Sequence, residues 1–98
     1  MRKFEFKPWG WYLTLEENCD HKIKKIHVKA NHRFSLQYHN DREEHWTVLE
    51  GIGQITQGDR ETTIRPGESA YIPKKGIHRL TGGENGITFI EVQRGICK

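Results

Sequence analysis

Cysteine is scarce in this chain of 98 residues, which carries only Cys19 and Cys97. Two cysteines cannot supply a C-x-x-C zinc site or a disulfide framework, and they fit a reducing compartment. No apolar run approaches the roughly 18 residues of a membrane span, and the mean hydropathy of -0.85 agrees. The N-terminal Met1-Arg2-Lys3-Phe4-Glu5-Phe6-Lys7-Pro8 is basic but lacks the apolar stretch of a secretory signal. Internal repeats, low-complexity tracts and linkers are missing too. One cytoplasmic domain spanning residues 1–98, with no membrane partner, is the expectation.

A strong excess of one charge is also lacking. Lys and Arg number 16 against 13 Asp and Glu, a net charge of +3. The two signs alternate along the chain, so no basic patch marks a nucleic-acid interface, and none is expected as a partner. Nor does any stretch keep a 3.6-residue apolar period over three turns, which argues against helix.

What the chain does have is turn chemistry at short intervals. Pro8-Trp9-Gly10, Ala30-Asn31-His32, Asn40-Asp41, Gly51, Gln57-Gly58-Asp59, Arg65-Pro66-Gly67, Lys74-Lys75-Gly76 and Gly82-Gly83-Glu84-Asn85-Gly86 punctuate it. The runs between them are rich in β-branched and aromatic residues. Segments 11–16, 26–30, 33–39, 46–49, 54–56, 62–64, 70–72 and 87–92 read as short strands. Roughly eight to ten such strands at this length predict an all-β closed or nearly closed barrel.

Segment 33–39 alternates most clearly, with Phe34, Leu36 and Tyr38 on one face. Gln37, His39 and Asp41 share the other if the strand stays regular. An amide, an imidazole and a carboxylate in line are metal-ligand chemistry, although a solvent-facing polar row is the plainer reading. Glu44 opens the next strand near the same end, and His78 follows Pro73-Lys74-Lys75-Gly76 at the start of another. Six histidines are present. His45, beside Glu44, points to the opposite face, and His21, His27 and His32 have no partner pattern. Trp9, Trp11 and Trp46 read as core or contact residues rather than a sugar platform.

Glu44 and Gly51, followed by Gly67, Pro73, Gly76 and His78, resemble the two motifs of the cupin superfamily. More closely, the chain resembles the isomerase domain at the C-terminal end of bifunctional mannose-1-phosphate guanylyltransferase/mannose-6-phosphate isomerases. The segments that carry this are Lys7-Pro8-Trp9-Gly10-Trp11-Tyr12, Ser35-Leu36-Gln37-Tyr38-His39, Arg42-Glu43-Glu44-His45-Trp46, Tyr71-Ile72-Pro73, His78-Arg79-Leu80 and Glu91-Val92-Gln93. Asp41 stands where the cupin motif has a second histidine.

The resemblance implies a small double-stranded β-helix (cupin, jelly-roll) barrel and a homodimer. It also implies a divalent metal ion, zinc first, with manganese, iron, nickel or cobalt as alternatives. By analogy with the zinc site of the larger phosphomannose isomerases, the ligands would be Gln37, His39, Glu44 and His78, with Asp41 in reserve. Arg42 and Arg79 would bind the phosphate of a sugar-phosphate substrate. The implied reaction interconverts mannose 6-phosphate and fructose 6-phosphate. Its proton-abstracting base stays open among Glu43, His45 and a metal-bound hydroxide. The rival readings are a non-catalytic cupin that binds a sugar or sugar nucleotide, and a metal-cupin with other chemistry such as oxidation.

Overall fold

Alternation of apolar and polar side chains decides which faces of this chain pack together, and glycine decides where its strands bend. The computed structural model describes residues 3–37, 42–74 and 78–95, with the side chains of residues 35–37 outside that description. The strands are β1 (Lys3–Lys7), β2 (Gly10–Glu17), β3 (His21–Val28), β4 (Arg33–Gln37), β5 (Arg42–Gln57), β6 (Arg60–Ile64), β7 (Ser69–Ile72) and β8 (His78–Gly95). All pairings are antiparallel. No helix occurs among the described residues, as the missing 3.6-residue period predicts.

Two long strands organise everything else. The first half of β5 pairs with the second half of β8, from Arg42↔Gly95 to Gly51↔Ile87, whereas its second half pairs with the start of β8, from Gly53↔Gly82 to Gln57↔His78. The first half is extended through β3 and β2 to β1 at the edge, and by β7 on β5. The second half is flanked by β4 on β8 and by β6 on β5. One core cluster draws on both halves, with Ile26, Val28, Trp46 and Phe89 from the first and Ile55 and Leu80 from the second.

Sequence reasoning divides β5 at Gly51 and ends a strand at the Gly82–Gly86 cluster. In the structure both are bends inside continuous strands. Gly51 has φ 81° and Gly86 φ 78°, and a Cβ on Gly51 would lie 2.2 Å from the Gly86 carbonyl oxygen. The backbones can therefore approach and bulge only because neither residue has a side chain. β3 begins earlier than the expected 26–30 and ends at Val28, before the turn in which Asn31 takes φ 61°. The edge strand β1 was not among the expected strands.

One further correction concerns the cysteines. Cys19 is disulfide-bonded, so two reduced thiols do not describe this chain; Cys97 lies outside the described residues.

Candidate functional site

Three strands turn polar side chains into the interior at one end of the molecule. On β5, Glu44 shares the inward face of Trp46 and Val48, and on β8, Glu91 and Gln93 continue the inward face of Ile87 and Phe89. On β3, Lys24 lies in the row of Ile26 and Val28. The same alternation that builds the core thus carries charge into it where the apolar run stops. Glu44, Glu91 and His78 are each at most 1% exposed.

Buried carboxyls need partners, and here they share one. The Trp46 indole Nε1–H donates to Glu44 Oε1 at 2.9 Å and reaches Glu91 Oε1 at 3.3 Å. Gln93 Nε2 donates to Glu91 Oε2 at 3.0 Å. Arg42 holds Glu44 Oε2 through Nε at 3.2 Å and Nη2 at 3.1 Å. Burial is the main force pushing the Glu91 carboxyl up to about 8, and the hydrogen-bonded Glu44 carboxyl adds to it. Gln93 and the Lys24 charge pull the other way. Glu91 therefore carries a proton through much of the neutral range.

Above this pair opens a cavity of about 300 Å³, bounded by Lys7, Lys24, Arg42, Glu91 and Gln93 and walled by Trp9, Tyr12 and Phe34. Trp9 meets the edge of Phe34 at 4.9 Å between centroids. The Lys24 and Lys7 ammoniums stand over the Tyr12 ring, 4.2 and 6.0 Å from its centroid. Glu5 sits at the rim, where Lys7 pairs with it at 3.5 Å and a Tyr12 hydrogen bond lowers its carboxyl. A larger cavity of about 480 Å³ beside β5, β6 and β7 has Glu68 as its single charged lining residue. Among the described residues, the smaller of the two joins cations to a buried carboxyl, Glu91.

The sequence-derived site residues divide as follows. Glu44 and His78 come together, with His78 Nε2 3.8 Å from Glu44 Oε1 and the His78 ring edge-on to Trp46 at 5.4 Å. Gln37 reaches the same place in backbone register, opposite His78. It does so through a register shift between Phe34 and Gln37, so the strict alternation expected for this strand breaks there. His39 and Asp41 lie outside the described residues, as does the Gln37 side chain. Arg42 lines the cavity, whereas Arg79 lies opposite Thr56. Its side chain leaves β8 on the face away from His78 and Leu80.

Glu43 and His45, two of the open candidates for the base, also face away. Glu43 accepts a 2.7 Å hydrogen bond from the Tyr71 hydroxyl, and His45 packs against the Tyr71 ring. Among the described residues no group of three or more His, Cys, Asp or Glu could hold a metal ion. Sequence reasoning missed Lys24, Glu91 and Gln93 as site residues. Glu91 and Gln93 show the available signal: two polar residues on the inward parity of an apolar strand.

Residues 1–97 match the family described as mannose-6-phosphate isomerase C-terminal. The alginate biosynthesis protein AlgA of Pseudomonas aeruginosa is 38% identical over 91 residues, covering 92% of this chain and 19% of that protein. Mannose-1-phosphate guanylyltransferase RfbM of Salmonella typhimurium is 35% identical over 91 residues, with the same coverage of 92% and 19%. The chain thus spans about a fifth of the length of these relatives. Among solved structures, KdgF from a Halomonas species superposes with a TM-score of 0.88 at 12% identity, covering 96% of this chain and 86% of that one. An RmlC-like cupin from Shewanella frigidimarina superposes at 0.86 with 17% identity, covering 96% and 84%. The fold is the cupin double-stranded β-helix, and the chain belongs to the mannose-6-phosphate isomerase C-terminal family.

Proposed function

We propose that this domain is a metal-dependent sugar-phosphate isomerase that interconverts mannose 6-phosphate and fructose 6-phosphate in the cavity above Glu44 and Glu91. The observation that carries the reading is the meeting of Lys7, Lys24 and Arg42 with a buried, protonatable carboxyl in a space of about 300 Å³. That volume is at the small end for ligand sites, as suits a hexose phosphate.

Isomerisation breaks the C2–H bond of the aldose and forms a C1–H bond. The C2 hydroxyl becomes a carbonyl and the C1 carbonyl a hydroxyl, through an enediol. Glu91 is the group proposed to carry the proton, because it is the carboxyl that lines the cavity. Its ionised form, populated as pH rises toward about 8, takes the proton from C2, and the acid so formed returns it to C1. Trp46 and Gln93 fix its two oxygens, so the base is oriented before substrate arrives. Trp9 and Tyr12 offer apolar walls to the sugar ring.

Glu44 and His78 are the proposed metal ligands, joined by Gln37 and His39. The described pair fits such a role: two ligands at about 2.0–2.2 Å from one ion can stand as far apart as these atoms, at 3.8 Å. A carboxylate oxygen with an imidazole nitrogen suits a borderline ion, zinc first. When bound, such an ion would polarise the sugar oxygens and stabilise charge on the enediolate.

A second copy of the chain is the proposed partner. β1 is a sheet edge with open backbone groups, and its outward Phe4 and Phe6 are 49% and 79% exposed. Phe4 stacks on Trp11 at 5.1 Å, extending the patch onto β2.

A second functional reading, a non-catalytic sugar- or sugar-nucleotide-binding cupin, is favoured by one observation. Relatives such as that of Salmonella typhimurium are named guanylyltransferases, and the chain matches only 19% of that protein. The test is metal analysis of the purified protein together with a coupled assay of mannose 6-phosphate conversion, before and after chelation. About one divalent ion per chain with chelator-sensitive turnover supports the isomerase; sugar-phosphate binding without turnover supports the alternative.

A further inference from the structure

The sequence points to arginines for the substrate's phosphate, but the cavity presents a different cation. Lys24 is half-buried, faces inward on β3, and sits at the cavity wall with its ammonium 4.2 Å from the Tyr12 ring centroid. Among the described residues it forms no ion pair. Each neighbouring cation is already engaged: Arg42 grips Glu44 Oε2 through two nitrogens, and Lys7 pairs with Glu5 at 3.5 Å. The carboxyl beside Lys24 on the neighbouring strand, Glu91, is held by Trp46 and Gln93. Arg79 leaves β8 on the other face.

A half-buried ammonium costs desolvation that an aromatic face offsets only in part. Its burial already lowers the Lys24 ammonium below its ordinary range. A phosphate is the ligand such a group is built to receive, because charge-assisted hydrogen bonds are strong where water is sparse.

We propose that Lys24 is the phosphate anchor of the cavity, with the sugar lying between Tyr12 and the Glu91–Gln93 floor. This rests on the sugar-phosphate reading given above and adds a binding residue to it. Anchoring at β3 sets the reacting end of the sugar against β8, so Lys24 is a specificity residue: it selects a phosphorylated hexose over the free sugar.

Calorimetric titration with mannose 6-phosphate and with inorganic phosphate tests this without reference to turnover. The native chain should bind both. Lys24→Gln should weaken mannose 6-phosphate binding by roughly tenfold or more, while Lys24→Arg, which keeps the charge, should stay within about threefold. Lys25→Gln makes the same charge change on the outward face of β3 and should bind as the native chain does. Thermal melts of all three variants verify folding, and Lys24→Met, uncharged but of similar length, replaces Lys24→Gln if that variant is unstable and should show the same loss of binding. Equal binding by Lys24→Gln and the native chain would overturn the proposal, as would a native chain that binds neither probe. Lys24-dependent binding with no isomerisation would uphold it while removing the isomerase reading.

Discussion

The proposed mechanism turns on Glu91, and the protonation of its carboxyl has two measurable consequences. Its folded-state carboxyl titrates near 8 rather than at the ordinary 4.5, so between those values the folded chain holds a proton that the unfolded chain has released. The stabilisation is complete below the unfolded value and is lost as pH rises toward about 8. For the metal-free chain, urea midpoints should therefore fall from about pH 5 to about pH 8.5, and Glu91→Gln should flatten that slope. The same substitution removes the proton carrier, and kcat for isomerisation should drop by roughly 10²-fold or more with KM little changed.

Glu44→Ala tests the neighbouring carboxyl differently. It strips Arg42 and Trp46 of a buried acceptor, so it should cost about 1–3 kcal/mol by denaturant titration and abolish stoichiometric metal binding. That Glu44 and His78 lie near one another was legible in the sequence, because each follows a turn near the start of a strand. Lys24 was not, because lysine on a strand ordinarily marks a solvent face. Only the β3–β8 register, which puts Lys24 opposite Glu91, shows that this row faces inward.

At the level of elements, the bends in β5 and β8 set the cavity's position, since each long strand contributes to both halves of the barrel. Gly51→Ala would force a Cβ against the Gly86 carbonyl at a positive φ. It should destabilise the chain by about 2–4 kcal/mol, read from the urea midpoint. Most strands were readable from alternation and turn chemistry. The glycine positions were readable as breaks but not as bends, because the same φ serves a turn and a bulge; partner strands decide between them. The register shift between Phe34 and Gln37 is a similar case. Sequence parity expects unbroken alternation between these residues, whereas the backbone pairing runs from Leu80 opposite Phe34 to His78 opposite Gln37 through a shift.

Across the whole molecule, the cavity is lined chiefly by the half that carries β1, β2 and β3, with Phe34 of β4 from the other, and the aromatic patch lies on the outer surface of β1 and β2. Trp9 and Trp11, two residues apart in one motif, serve these separate places: Trp9 walls the cavity, whereas Trp11 stacks on Phe4 and on His27. If the patch pairs two copies, sedimentation equilibrium should give a dimer, and Phe4→Ser with Phe6→Ser should shift it to monomer without loss of the fold. A monomeric native chain would remove the dimer from the account. The overall barrel was legible from composition and turn spacing because an all-β chain of this length has few ways to bury its apolar faces. The inward parity of Glu91 and Gln93 was available in their strand's alternation, but their meeting with Lys24 was not, since it depends on which strands lie side by side.

The most direct test of the central claim follows mannose 6-phosphate by NMR in the presence of the native chain and a divalent ion, with Glu91→Gln in parallel. The account predicts fructose 6-phosphate accumulating to equilibrium with the native chain and a strongly slowed approach with the variant. Mannose 6-phosphate that binds but stays unconverted, or equal rates for the two proteins, would contradict it.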